Sequence, residues 1–281
     1  MYRVPFNKPR LTGREYERIG EAVANLHLSG NGPFTKSAQR WLEERTGAVK
    51  ALLTQSCTAA LEMSALLANI GPGDEVILPS FTFVSTANAF VLRGATPVFV
   101  DIRPDTLNLD AAAAAAAITP ATRAIVAVHY AGVACDMDAI GAIAHRHGVL
   151  LIEDAAQAIL STYHGRPLGS FGTLGALSFH ETKNVLSGEG GALLVNDPAL
   201  VERAEVIWEK GTDRSRFFRG QVDKYTWVDV GSSYLPSEIT AAFLSAQLDE
   251  ADRLTADRLA IWHRYHEAFE AAETAGQLRR P

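Results

Sequence analysis

The sequence has little of several things. Its 281 residues include only two cysteines, Cys57 and Cys135, with no CxxC pair and no Cys/His cluster at zinc-finger spacing. That excludes a disulfide scaffold and gives no metal site, and it fits a reducing, cytoplasmic setting. Long apolar runs are missing too. The longest candidate, Ala111 to Ile118, is far shorter than the ~20 residues a membrane helix needs, so no membrane role is expected. The N-terminus, Met1 to Asn7, lacks the apolar core of a signal peptide. There is no lysine/arginine tract, and the net charge is −6, which argues against nucleic acid as a partner because phosphate neutralisation needs concentrated positive charge. A small phosphate remains admissible, since backbone amides can hold it.

What is present is an ordinary globular balance, 47% hydrophobic and 21% charged, which excludes disorder over most of the chain. Strand-like runs occupy Lys50–Thr54, Glu75–Leu78, Pro97–Asp101, Ala124–His129 and Val149–Glu153. They show little alternation, as strands buried on both faces should. Amphipathic stretches lie between them at Thr58–Asn69, Val84–Arg93, Asp110–Ile118 and Met137–His147, and Gly71, Gly94 and Gly148 stand where left-handed C-caps are expected. This order predicts an α/β fold, a mostly parallel sheet covered by helices. Beyond Asp154 two more strands are expected, Ala176–Phe179 and Gly191–Val195, then a helix from Pro198 to about Lys210. Residues 211–236 read as irregular, and a long helix is expected from near Ser237 past Trp262.

Four segments could carry chemistry. Asp154 ends a buried strand, at the sheet edge where open α/β folds bind ligands. It suits a metal or a protonated ring nitrogen, and equally a plain helix N-cap. Lys183 lies in a glycine-flanked loop, as an amine poised for covalent chemistry or as a solvated side chain. Ser56-Cys57-Thr58 opens a helix, whose free N–H groups favour an anion. Phe81 and Phe83 follow a strand and serve either a core or a stack on a planar ring.

The order of these elements resembles the large domain of fold-type-I pyridoxal phosphate (PLP) enzymes. Gly71-Pro72-Gly73-Asp74-Glu75-Val76-Ile77, Phe81-Thr82-Phe83-Val84-Ser85-Thr86-Ala87-Asn88, Glu153-Asp154-Ala155-Ala156-Gln157 and Ser178-Phe179-His180-Glu181-Thr182-Lys183-Asn184 resemble DegT/DnrJ-type nucleotide-sugar aminotransferases. Val128 to Cys135 and Phe217 to Trp227 are similar to the dTDP-4-amino-4,6-dideoxygalactose transaminases of enterobacterial common antigen synthesis.

The resemblance implies roles. Lys183 would hold PLP covalently and shuttle a proton; Asp154 would face the pyridine nitrogen; Gln157 would bond the ring's 3-oxygen. Phe83 would stack on the ring, and Cys57, Thr58 and Ser178 would hold the phosphate, the first through its backbone where the family usually has glycine. The residues of Arg214 to Trp227 themselves, dense in Arg, Lys and aromatics, read either as a solvated basic loop or as a clamp for a sugar nucleotide, with Arg219, Lys224 and Tyr225 as its binding residues. The implied reaction passes an amino group from L-glutamate to a dTDP-4-keto-6-deoxyhexose, in a homodimer whose sites draw on both subunits. A sugar 3-aminotransferase and a non-catalytic remnant that binds cofactor or sugar nucleotide stay open as alternatives.

Two departures stand out. Ser233 occupies a position where many relatives have an asparagine reaching the neighbouring subunit's phosphate, and its shorter hydroxyl is expected to reach only through water. Family members also continue further. The expected division is therefore an N-terminal segment over 1–30, a cofactor-binding domain over 31–236, and the start of a small C-terminal domain over 237–281, the chain being a fragment or a truncated form.

Overall fold

Strands buried on both faces form the centre of the molecule, as the unalternating apolar runs require. A computed structural model describes residues 4–280. The elements in order are α1 (Glu15–Ala24), α2 (Pro33–Thr46), β1 (Lys50–Thr54), α3 (Cys57–Leu67), β2 (Glu75–Pro79), α4 (Val84–Val91), β3 (Thr96–Val100), α5 (Ala111–Ala116), β4 (Thr122–Val128), α6 (Met137–His147) and β5 (Leu150–Asp154). A two-stranded hairpin follows, β6 (Thr162–Tyr163) and β7 (Arg166–Pro167). Then come β8 (Leu174–Ser178), β9 (Gly191–Val195), α7 (Val201–Trp208), α8 (Arg214–Phe218), α9 (Glu238–Asp249) and α10 (Ala251–Thr274).

The seven-stranded sheet has the order β1-β9-β8-β5-β4-β2-β3. All its strands run one way except β9, which is antiparallel to both its neighbours, β1 and β8. The loop joining β8 to β9 therefore leaves and re-enters the sheet at the edge where the parallel strands end, and Lys183 rides on it.

Alternate residues feed two cores. Leu52, Val126, Ile152, Ala176 and Leu193 pack under α3, α4 and α7. Leu53, Leu177 and Leu194 face α2 and α9, while Ile77, Ile125 and Leu151 face α5 and α6. Trp208, buried at 2% exposure, locks α7 to the sheet by donating its Nε1–H to the Leu53 carbonyl at 2.6 Å.

Local chemistry sets the helix ends. Ser56, Asp110, Asp136 and Ser237 each accept a backbone N–H of their own helix's first turn. The start of α2 has only Gly32, so its cap comes from elsewhere. The buried Glu238 carboxylate accepts the N–H groups of Gly32, Phe34 and Thr35 at 2.8–3.0 Å.

Three expectations need correction. Gly71 is not a left-handed cap; Asn69, at φ 54°, turns the chain after α3 instead, using the short polar side chain that tolerates this region. The long helix breaks between Asp249 and Ala251, so it is two helices, of which α9 packs on α1 and α2. Residues 211–236 contain the short α8. The helices α1 and α2 had no counterpart in the sequence reading. Among the described residues no helix is long and apolar enough to cross a membrane.

Candidate active site

The carboxyl ends of β1, β2, β4, β5 and β8 and the start of β9 converge on a cavity of about 610 Å³, within the ordinary size of a small-ligand site. Cys57, Thr58, Phe83, Asp154, Gln157, Ser178 and Lys183 all line it. The fold thus brings together every residue that the resemblance assigned to the cofactor.

At one end is the start of α3. Gly191 makes this close approach feasible, because a Cβ there would lie 2.4 Å from the Cys57 nitrogen. Thr58 Oγ1 lies 2.7 Å from Ser85 Oγ, and Ser178 supplies a further hydroxyl nearby on the lining. Free helix-start amides and hydroxyls are the donor set a phosphate needs. Burial pushes the Cys57 thiol well above its ordinary value, with Asp154 adding to the rise against Lys183. It is a neutral thiol, not a thiolate nucleophile.

In the middle is Asp154, buried at 5% exposure. Its Oδ2 accepts Thr86 Oγ1–H at 2.7 Å and its Oδ1 accepts the Ala156 N–H at 3.2 Å. Thr82 Oγ1 in turn lies 2.7 Å from Thr86 Oγ1. Burial raises the carboxyl above its ordinary value, opposed by those hydrogen bonds and by the Lys183 charge. His129 Nδ1 accepts the Cys135 N–H at 3.2 Å, and its Nε2 lies 2.9 Å from Glu153.

A raised aspartate holds its proton more tightly folded than unfolded. The cofactor-free fold therefore loses stability as pH climbs from the ordinary aspartate range through the raised value. Asp154→Asn removes that penalty. Thermal melts of cofactor-free protein should show the variant's Tm gaining on the parent's as pH rises through the raised Asp154 value, with the two converging in acid. A Tm difference that does not grow with pH would contradict a raised Asp154.

On the same lining, Gln157 is oriented by the chain itself. Its Oε1 accepts the Ala131 N–H at 2.7 Å, which leaves the amide N–H₂ as the free end. The turn carrying that N–H is fixed by Ala131 at φ 54°. Phe83, the residue before α4, stands 71% exposed on the lining. Lys183 Nζ has no hydrogen-bond partner among the described residues, while its backbone N–H donates to the His180 carbonyl at 2.9 Å. An amine, a buried carboxylate, an amide donor, an exposed ring and a helix-start anion cradle form a donor set that fits PLP.

Several residues in the site escaped the sequence reading. Thr86 lay within the Phe81–Asn88 segment, yet nothing local marked it as the partner of Asp154. Glu153 is fully buried and accepts the N–H groups of Gly169, Phe171 and Gly172 at 2.6–2.7 Å besides bonding His129. Tyr130, its ring 4.4 Å from that of Phe81, adds apolar wall.

The three residues assigned to the sugar nucleotide stand apart from this cavity. Arg219 Nη1 donates to Glu205 at 2.7 Å on a second cavity, Tyr225 packs at 5.8 Å from Phe217, and Lys224 is exposed. Ser233 is exposed, and its carbonyl accepts the Gln55 side-chain N–H at 2.6 Å within the same chain.

Comparison with known proteins adds the chemistry. The model of the DegT/DnrJ/EryC1/StrS aminotransferase family matches residues 9–280. The chain is 38% identical over 270 residues to the spore coat polysaccharide biosynthesis protein SpsC of Bacillus subtilis, covering 95% of this chain and 69% of that protein. It is 38% identical over 263 residues to GDP-perosamine synthase of Caulobacter vibrioides, covering 93% and 69%. The sugar aminotransferase Spr1654 of Streptococcus pneumoniae, described as putative and solved in PLP and PMP forms, superposes on the fold with a TM-score of 0.88 at 29% identity. In its PLP form the match covers 95% of this chain and 72% of that one.

Proposed function

The chain belongs to the DegT/DnrJ/EryC1/StrS aminotransferase family, and from that membership we propose that it moves an amino group from L-glutamate to the 4-keto carbon of a dTDP-linked 6-deoxyhexose. It is a PLP-dependent sugar aminotransferase with the fold-type-I architecture. The finer reading is a dTDP-4-amino-4,6-dideoxygalactose transaminase acting as a homodimer. The observation that carries the site is the convergence of Lys183, Asp154, Gln157 and the start of α3 on one cavity.

PLP, when bound, supplies an electron sink for a carbon next to nitrogen. The protein's own groups do the rest. Asp154 would hold the protonated ring nitrogen by Coulomb attraction in a water-poor setting. Gln157 would offer its N–H₂ to the ring oxygen. Thr58, Ser178 and the α3 amides would hold the phosphate, and Phe83 would pack beside the ring. Lys183 would anchor the cofactor through its Nζ amine, and that amine would also serve as a positioned proton carrier. Donor and keto sugar use this site in turn, which predicts ping-pong kinetics.

The linkage is tested by loading the protein with PLP, reducing with borohydride and mapping peptides. The label is expected on Lys183; a label on Lys210 or Lys224 would overturn the assignment. Asp154→Asn keeps the shape and removes the charge, with an expected fall in turnover on the order of 10²–10³-fold, several kcal/mol of lost transition-state stabilisation. Parent-like turnover would reduce Asp154 to a cap.

The substrate reading rests on the segment from Arg214 to Trp227, where guanidinium groups suit diphosphate oxygens and aromatic rings suit a base. Because Arg219 stands outside the Lys183 cavity of its own chain, the reading places it at the neighbouring subunit's site. Arg219→Ala should weaken the keto-sugar half-reaction and spare the glutamate half-reaction in stopped-flow measurements. Equal loss in both would reject this role. The identity with GDP-perosamine synthase favours a GDP-linked sugar as the second reading. Amino transfer assayed with dTDP- and GDP-linked 4-keto sugars decides between them, and the position of the new amine decides against or for a 3-aminotransferase.

A further inference from the structure

Lys183 is not the only side chain that the β8–β9 loop delivers to the cavity. The loop folds back on itself: the Phe179 N–H donates to the Gly190 carbonyl and the Glu181 N–H to the Gly188 carbonyl, both at 2.8 Å. His180 and Glu189 sit between these two links, opposite each other across the ladder. Both line the Lys183 cavity.

The His180 ring has a fixed end and a free end. The Thr182 N–H donates to Nδ1 at 3.3 Å, and Thr182 Oγ1 lies 2.9 Å from the same nitrogen. Nε2 is left over, 3.7 Å from Glu189 Oε1, which is beyond hydrogen-bond distance. The Glu189 side chain is 73% exposed. A pair so open and so loosely held contributes little, and a better-placed acceptor displaces Glu189 at small cost.

The rest of the lining shows what that acceptor is. An amino donor such as L-glutamate brings two carboxylates into the cavity, and each needs a donor to replace water. The described lining carries four side chains with nitrogen, those of His129, Gln157, His180 and Lys183. Gln157 and Lys183 are assigned to the cofactor, and His129 Nε2 lies 2.9 Å from the buried Glu153. That leaves His180 Nε2.

Resting on the aminotransferase reading above, we propose that His180 Nε2 receives a carboxylate of the amino donor and that Glu189 is the partner it gives up. Glu189 returns to His180 once the donor's carboxylates have left, so one cavity accepts first a dianion and then a sugar.

The test uses two variants of the PLP-loaded protein with opposite expected signs. His180→Ala deletes a hydrogen bond to a charged group and should raise the glutamate KM at least about tenfold, with the keto-sugar KM close to the parent's. Glu189→Gln removes a like charge from the donor's path and should lower the glutamate KM. A merely structural role for the pair would move both variants the same way. Glutarate, which has both carboxylates and no amine, gives a readout without turnover. By calorimetry it should bind the parent saturably, His180→Ala more weakly and Glu189→Gln more tightly. A parent that binds glutarate in this pattern but transfers nothing from glutamate would sink the function reading and leave the carboxylate site standing. An unchanged glutamate KM in His180→Ala, an equal loss for glutamate and keto sugar, or glutarate binding indifferent to both variants would overturn the assignment of His180.

Discussion

Lys183→Ala is expected to abolish amino transfer while leaving the fold intact. The side chain makes no hydrogen bond among the described residues, so its removal strands no hydrogen-bond partner and withdraws only a minor charge contribution from the buried Asp154. The melting temperature should therefore stay close to the parent's. Turnover should not. A positioned proton carrier is worth about 10²–10⁴-fold, and the covalent route through the amine adds to that. The combined loss should be at least about 10⁴-fold, or roughly 5 kcal/mol. PLP should still bind, because Asp154, Gln157, Thr58 and Ser178 remain, but without the covalent attachment. Rates in single turnover, alongside mass spectrometry of the reduced protein, separate the two effects. A variant with a tenth of parental turnover would place the proton transfer on another group.

Glu153→Gln is expected to be the most damaging conservative change to stability. Glu153 and Asp154 are neighbours on β5 whose side chains point to opposite faces of the sheet. Asp154 faces the cavity, and Glu153 faces inward at 0% exposure. One Glu153 oxygen takes the Phe171 and Gly172 N–H groups at 2.6 Å, and the other takes Gly169 N–H at 2.7 Å and His129 Nε2 at 2.9 Å. Glutamine keeps one acceptor oxygen and turns an N–H₂ against two donors. Losing two charge-assisted hydrogen bonds costs about 3–5 kcal/mol, which lowers Tm by roughly 10 °C in a chain of this size. Chemical denaturation and thermal melts of parent and variant measure it. A loss below about 1 kcal/mol would mean that the 169–172 turn relaxes freely and that Glu153 is not its anchor.

Legibility in the sequence followed distance along the chain. β1, β2, β4 and β5 could be read because Val, Ile and Leu runs bounded by Gly, Pro and Asp specify doubly buried strands locally. The end of α6 could be read from Gly148, which adopts φ 63°. By contrast, α2 begins at a glycine with no side chain to signal a cap, and its cap, Glu238, lies 204 residues from Phe34. Glu153 is similar: its partners are His129, 24 residues before it, and Gly169–Gly172, 16–19 residues after it. No local pattern announces such contacts.

The candidate site divides the same way. Asp154 showed itself physically, as a carboxylate at the end of a buried strand. Lys183, taken alone, reads as a solvated loop residue; only its place after Ser178-Phe179-His180 pointed to a function. Thr86, which fixes Asp154 from α4, was invisible because the contact joins β5 to a helix 68 residues earlier. The arginines near 219 were conspicuous in sequence, yet the fold sets them on a different cavity from the lysine.

The central claim is that one cavity around Lys183 holds PLP and exchanges amino groups with both substrates. The most direct measurement is the visible spectrum of the purified, PLP-loaded protein, recorded alone, after L-glutamate, and again after a dTDP-4-keto-6-deoxyhexose. The account predicts a band from the protein-linked cofactor that bleaches with glutamate and returns with the keto sugar, and that is absent in Lys183→Ala. A band that glutamate leaves unchanged, or one that persists in Lys183→Ala, would contradict it.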